Sequence, residues 1–305
     1  MRINSAGLAL GVGKGDRRSV SKAISVVEND PSGAKALMRS IRPSGRAFVL
    51  GITGPPGTGK STLVNRLALQ FRGQGKRVGV IAVDPTSPIT GGALLGDRVR
   101  MTDLAKDRMV YIRSMASRGW AGGLSAATSQ AIRILDAAGY DVVLLETVGI
   151  GQSDIEVVGV SHAVIVVLMP GLGDEVQMSK AGLMEVGDVY AINKSDLGGA
   201  DLLMTSLLSM IRTSKGRSPA VVAVSALNGE GMDRLDRAIG ELMSGFAKGD
   251  KEILLRSLRG LILEGAKGAV LRRFAAHSGL NADGLARRVL EGRLTVQEAV
   301  EKLAG

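Results

Sequence analysis

The chain contains no cysteine, which excludes disulfides, thiolate metal ligands and cysteine nucleophiles. It has two histidines, His162 and His277, too few for a histidine-rich metal store. Aromatic residues are 3% of the 305, so any core must be aliphatic, and 45% hydrophobic residues supply enough material for one. No stretch reaches the roughly 18 uninterrupted apolar residues needed to span a bilayer, and residues 1–11 lack the apolar run of a secretion signal. The expectation is a cytoplasmic protein with no membrane partner. Positive charge is in excess, formally +10, which invites a nucleic-acid reading. The excess is spread along the chain and not interleaved with aromatics, so a basic surface for phosphate-bearing ligands accounts for it and no nucleic-acid partner is expected.

What the sequence does have is Gly54-Pro55-Pro56-Gly57-Thr58-Gly59-Lys60-Ser61-Thr62. The apolar run 47–52 precedes it and the helix-like 63–69 follows, so the spacing G-x-x-x-x-G-K-S stands in its required strand-turn-helix context. Gly54, Gly57 and Gly59 permit backbone conformations closed to other residues, and successive amides can then point at an anion. Lys60 suits the β and γ phosphates, Ser61 can give magnesium an oxygen, and the helix start adds its positive end. The motif fits a nucleoside triphosphate and does not choose between ATP and GTP.

Around this motif strands alternate with helices, the pattern of a mainly parallel sheet with helices on both faces. Strands are expected at Phe48–Thr53, Val78–Val83, Met109–Ile112, Val142–Glu146, Ala163–Leu168, Val189–Asn193 and Ala220–Ser225. Helices are expected near Lys60–Gln70, Leu124–Ala138, Leu202–Arg212 and Met232–Ser244, with a further one near Glu175–Gly182. Residues 1–15 are dotted with glycine and read as a mobile terminus. Asp16 can cap a helix carrying Val20, Ile24 and Val27, and a second helix follows Asn29-Asp30-Pro31. Past Gly245 strand signals stop; an apolar helical stripe runs from Ile253 to Phe274, then shorter helices at Leu280–Leu290 and Thr295–Leu303. The expected division is a helical extension at 1–45, a P-loop domain at 46–247 and a helical region at 248–305, whose apolar stripe must pack on the P-loop domain or on a second chain, its length favouring the second chain.

Ligands of such sheets gather at the carboxyl ends of the strands. Asn193-Lys194-Ser195-Asp196 follows one strand, and the Asp196 carboxylate can accept from the N1 and 2-amino groups of guanine, which adenine does not offer. Asn193 and the Lys194 stem would hold base and loop, and Ser225-Ala226-Leu227 would bring a backbone amide to O6. Asp84 ends a strand beside the P-loop, where it can hold magnesium or its waters or simply begin the turn before Pro85; Asp97 can do the same or cap a helix. Glu146 ends another strand, with Gly149 able to reach the γ-phosphate, and Gln152 in the same loop is ordinarily solvated. Arg98, Arg113 and Arg118 could each reach a phosphate, and His162 and His277 read as structural.

These segments together with Asp84-Pro85-Thr86-Ser87-Pro88, Gly91-Gly92 through Gly96-Asp97-Arg98, Glu146-Thr147-Val148-Gly149 through Ser153, and Pro170-Gly171 through Gln177 resemble the methylmalonyl-CoA mutase-associated GTPases, the ArgK/MeaB family, over about residues 16–303. The resemblance implies a magnesium-dependent GTPase that converts GTP to GDP. It further implies a chaperone that gates adenosylcobalamin loading of methylmalonyl-CoA mutase and protects it, and a homodimer through the C-terminal helices. It assigns the phosphates to Gly54 through Thr62, catalytic parts to Lys60, Asp97, Glu146 and Gly149, magnesium to Ser61, Asp84, Asp97 and Glu146, and guanine to Asn193, Lys194, Asp196 and Ser225 through Leu227. Residues 171–180 resemble a switch that senses the mutase, and Gly187 stands where the family usually has alanine. A metal-insertion GTPase of related fold and a non-hydrolysing GTP-binding scaffold remain the alternative readings.

Overall fold

In the computed structural model the described residues are 4–84, 104, 106–116, 126–147, 157, 159–171, 186–211, 219–250, 253, 255, 259, 262, 263, 266 and 282–304. Seven strands form one sheet: β1 (Phe48–Thr53), β2 (Val78–Asp84), β3 (Val110–Ala116), β4 (Val142–Glu146), β5 (Ala163–Leu168), β6 (Val189–Ile192) and β7 (Ala220–Ala223). Every pairing is parallel and the order is β3-β2-β4-β1-β5-β6-β7. The strands read as near-continuous aliphatic runs because helices cover both faces; β1, β4 and β5 are buried at every position.

The helices are α1 (Ser5–Gly13), α2 (Arg17–Asn29), α3 (Pro31–Ser40), α4 (Lys60–Gly73), α5 (Ala126–Ala137), α6 (Ala200–Ile211) and α7 (Met232–Ala247). On one sheet face Phe48, Leu50 and Ile52 of β1 pack with Leu63, Leu67 and Phe71 of α4 and Leu235, Ile239 and Leu242 of α7. His162 has a structural part: its Nδ1 accepts from the Val49 amide at 2.9 Å and its ring stacks on Phe246 with centroids 4.2 Å apart.

The expectation of a mobile start is corrected by α1. Asn4 Oδ1 accepts from the Gly7 amide at 2.9 Å, capping the helix, and Leu8 and Val12 are buried at helical spacing. Gly11 is a packing residue: a Cβ there would stand 2.2 Å from Ser19 Oγ, so α1 and α2 approach through the missing side chain. Asp16 caps α2 by accepting from the Ser19 amide at 2.9 Å, and Asp30 caps α3 ahead of Pro31. α2 then closes the β3 edge of the sheet, where Arg17 donates to the Val110 carbonyl at 2.9 Å and Arg113 pairs with Glu28.

By its contacts the chain forms two compact units, residues 1–260 and 261–305. The second contains α8 (Ala282–Leu290) and α9 (Val296–Ala304), which pack on each other. Thr295 and Glu298 form a reciprocal capping box ahead of α9. Most of 253–274 and the helix expected near 175–182 lie outside the described residues.

Candidate nucleotide site

β1 is central and its carboxyl end runs straight into the glycine-rich loop and α4. Gly54 has φ 138°, and a Cβ there would come within 2.1 Å of the Val167 carbonyl oxygen on β5, so the loop lies tightly over the neighbouring strand. Gly57 and Gly59 also have positive φ, 80° and 87°. Thr58, fully buried, donates from Oγ1 to the Pro55 carbonyl at 2.9 Å. Lys60 is buried too, and its ammonium donates to the carbonyls of Gly54 at 2.8 Å and Pro55 at 3.0 Å. A full positive charge is thereby held inside the loop, an arrangement that favours an anion beside it. Pro56, Gly57 and Thr62 are exposed at the mouth.

Register brings β4 alongside, pairing Ile52 with Glu146. The buried Glu146 accepts at Oε1 from the Ser61 hydroxyl at 2.6 Å. β2 pairs Ala82 with Glu146 and ends two residues later at Asp84, so three strand ends converge here. Ser61 and Glu146 are hard oxygen donors of the kind magnesium takes, and they fit that ion. Asp97, Gly149, Gln152, Arg98 and Arg118 lie outside the described residues. Arg113 is committed to Glu28 and Ser25 on α2 rather than to this edge.

On the other side of β5, Asn193 follows β6 and is 2% exposed. Its Nδ2 donates to the Thr58 carbonyl at 2.8 Å while its Oδ1 accepts from the Ala226 amide at 3.0 Å. The side chain is thus a strut between the P-loop and the loop after β7, and both ends of its amide bond to backbone. Packing agrees, since a Cβ on Gly59 would sit 2.5 Å from Asn193 Nδ2. Lys194, with φ 56°, is the one non-glycine residue with positive φ among those described; it turns the chain into the short 3-10 segment Ser195–Leu197 that leaves Asp196 exposed. The Ser195 amide donates to Val224, and Ser225 Oγ accepts from the Asn228 amide at 3.3 Å. Ser225 and Ala226 are buried, whereas Leu227 is exposed.

A sequence profile of the methylmalonyl Co-A mutase-associated GTPase MeaB family matches residues 20–254. The chain belongs to this family. A putative GTPase of Pyrococcus horikoshii is 50% identical over 235 residues, 75% of this chain and 74% of that protein. GTPase ArgK of Escherichia coli is 39% identical over 252 residues, 78% and 76% of the two chains. A mouse protein described as methylmalonic aciduria type A homolog, mitochondrial, is 35% identical over 250 residues, 75% of this chain and 60% of its own. A crystal structure described as LAO/AO transport system kinase superimposes with a TM-score of 0.72 at 25% identity, covering 100% of this chain and 98% of that one. As a member of the MeaB family the chain is a P-loop GTPase.

Two residues with structural parts escape the sequence reading, Arg66 beside the nucleotide site and Asp136 at the opposite, amino end of β1. Arg66, on the second turn of α4, donates from Nε to the Ala226 carbonyl at 3.2 Å and from Nη2 to the Leu227 carbonyl at 3.0 Å. Asp136 on α5 gathers the approach to β1, accepting from Ser44 Oγ at 2.7 Å and from the amides of Gly45, Arg46 and Ala47 at 2.7, 3.1 and 3.0 Å. Burial alone would raise its pKa, but the Ser44 hydroxyl and the three amides outweigh that and hold it below the usual carboxylate range. No sequence signal marks either residue, because the partners lie far along the chain.

Proposed function

We propose that the chain holds GTP and magnesium across the loops after β1, β6 and β7, hydrolyses the nucleotide, and uses the cycle as a chaperone of an adenosylcobalamin-dependent acyl-CoA mutase. Methylmalonyl-CoA mutase is the partner its family description supports. The carrying observation is the Asn193 strut, which ties a phosphate-binding loop to the loop a guanine would meet. In this reading residues 54–62 bind the phosphates and Asp196 reads the N1 and 2-amino edge of guanine. A backbone amide of the loop 225–227 then meets O6, and Lys194 lines the base.

Magnesium, when bound, neutralises charge on the transferring phosphoryl; Ser61, Glu146, Asp84 and Asp97 are the residues that would hold it. Lys60 adds fixed positive charge and the P-loop amides add preorganised donors, which together supply most of the rate. Cobalamin belongs to the mutase in this scheme. The same reading makes 46–247 the GTPase domain between a helical extension at 1–45 and a dimerising region at 248–305, in a cytoplasmic homodimer. Among the described residues no helix is long and apolar enough to cross a membrane.

Isothermal titration of GDP and ADP with magnesium into wild type and Asp196→Ala tests the site. GDP binding that the substitution removes, with no ADP binding, supports it and makes nucleotide-dependent capture of purified mutase the next assay. Equal binding of GDP and ADP by the wild type overturns it.

A further inference from the structure

We infer that Arg66 is a positioning residue for base recognition: it fixes the loop after β7 so that a backbone amide of the loop meets guanine O6, without touching the nucleotide itself. The inference rests on the guanine reading above and goes beyond it by assigning part of the specificity to a side chain on the phosphate-binding helix. Arg66 stands six residues after Lys60, so about 9 Å further along α4. From there its planar fork donates to two successive carbonyls, of Ala226 and Leu227. A guanidinium is suited to this paired geometry, which the point charge of lysine cannot reproduce.

The loop is shaped around that fork. Gly229 has φ 88°, and a Cβ there would lie 3.1 Å from Arg66 Nη2, tighter than an ordinary contact. The Gly229 amide donates to the Ser225 carbonyl at 2.7 Å, and the Ser225 amide donates to Glu230 at 2.9 Å, closing the turn beneath the two carbonyls that Arg66 holds. Asn193 fixes the Ala226 amide on one side of the peptide chain and Arg66 fixes the Ala226 carbonyl on the other. With both held, the orientation of the following peptide plane is determined, and that plane is where an O6 acceptor would be met.

GDP, inosine diphosphate, which lacks only the 2-amino group, and 2-aminopurine riboside 5′-diphosphate, which lacks both O6 and the N1 proton, are titrated into wild type, Arg66→Ala and Arg66→Lys, with thermal unfolding measured alongside. The N1 contribution, read by Asp196, is common to all three proteins, so a change of preference with Arg66 reports the O6 contact. Wild type is expected to prefer GDP over both analogues. Arg66→Ala should narrow the preference over the 2-aminopurine nucleotide by about tenfold, the worth of one hydrogen bond, and leave the preference over inosine diphosphate intact. Arg66→Lys keeps the stem and charge and falls between, which carries the test if the alanine variant does not fold. Unchanged discrimination against the 2-aminopurine nucleotide in both variants overturns the inference, as does an equal loss against both analogues. A wild type that prefers GDP over neither analogue overturns the guanine reading instead, and the inference with it.

Discussion

Replacing Asn193 by alanine should uncouple the two ends of the nucleotide site. The substitution deprives the Thr58 carbonyl and the Ala226 amide of the partner that now bridges them at 2.8 and 3.0 Å. Both residues are buried, at 0% and 3% exposure, so water does not readily replace the amide. A stranded buried group costs about 1–3 kcal/mol, so the pair amounts to about 2–6 kcal/mol. Part of that is lost stability, and part falls on binding because the strut presents both loops to one ligand. If about 2 kcal/mol falls on binding, the Kd for GDP rises about 30-fold. Asn193→Asp refines the test: it keeps an acceptor for the Ala226 amide but turns a carboxylate oxygen toward the Thr58 carbonyl, so its damage concentrates at the P-loop. Calorimetric titration of GDP with magnesium, together with thermal unfolding of the nucleotide-free variants, measures both parts. An alanine variant that unfolds as the wild type does and binds GDP within about twofold would refute the strut.

Lys60→Ala removes the charge buried in the P-loop and should lower GTP turnover by at least about 100-fold; phosphate release under single-turnover conditions checks this, and near-wild-type hydrolysis would mean the charge lies elsewhere. Asp136→Asn should destabilise the folded chain by about 3 kcal/mol at neutral pH, since the charged acceptor of three amides and a hydroxyl is lost. Because the folded carboxyl titrates below its unfolded value, its contribution is fully present above about pH 4 and disappears as pH falls through the lower folded pKa. Urea unfolding of both proteins at neutral pH and then stepwise into acid should show the difference shrink; a gap that stays constant or widens in acid would contradict the assignment.

The central strands were legible as aliphatic runs, because a parallel sheet covered on both faces leaves no polar alternation to obscure them; the edge strand β3 was expected at Met109–Ile112 and runs on to Ala116, because Arg113 and Ser114 interrupt its apolar run. Glycine was harder to read. In 1–15 it suggested irregular chain, yet Gly11 is the contact through which α1 meets α2. Gly187 is a similar case: a Cβ would stand 2.7 Å from Tyr190 Cζ, and Tyr190 is fully buried, with desolvation pushing its hydroxyl pKa up to about 12. The motif residues of the P-loop and the Asn193 segment were visible because their spacing is local. Arg66 and Asp136 were not, since their partners lie about 160 and 90 residues away and nothing in the intervening sequence records the pairing.

The strand order explains why such ties are needed. β1, which feeds the glycine-rich loop, and β7, which feeds the loop carrying Ala226, are separated by β5 and β6. At about 4.8 Å per strand that is about 14 Å across the sheet, too far for a backbone hydrogen bond to join the two loops directly. The two loops keep a fixed separation only if side chains cross between them. Asn193 crosses from β6 to both, gripping Thr58 and Ala226, and Arg66 crosses from α4 to the far loop. The two crossings start from different elements and converge on one residue, Ala226, whose amide and carbonyl they hold separately. A ligand whose phosphates sit on β1's loop and whose base reaches β7's loop therefore meets a gap of set width, and its length and its base edge are tested together.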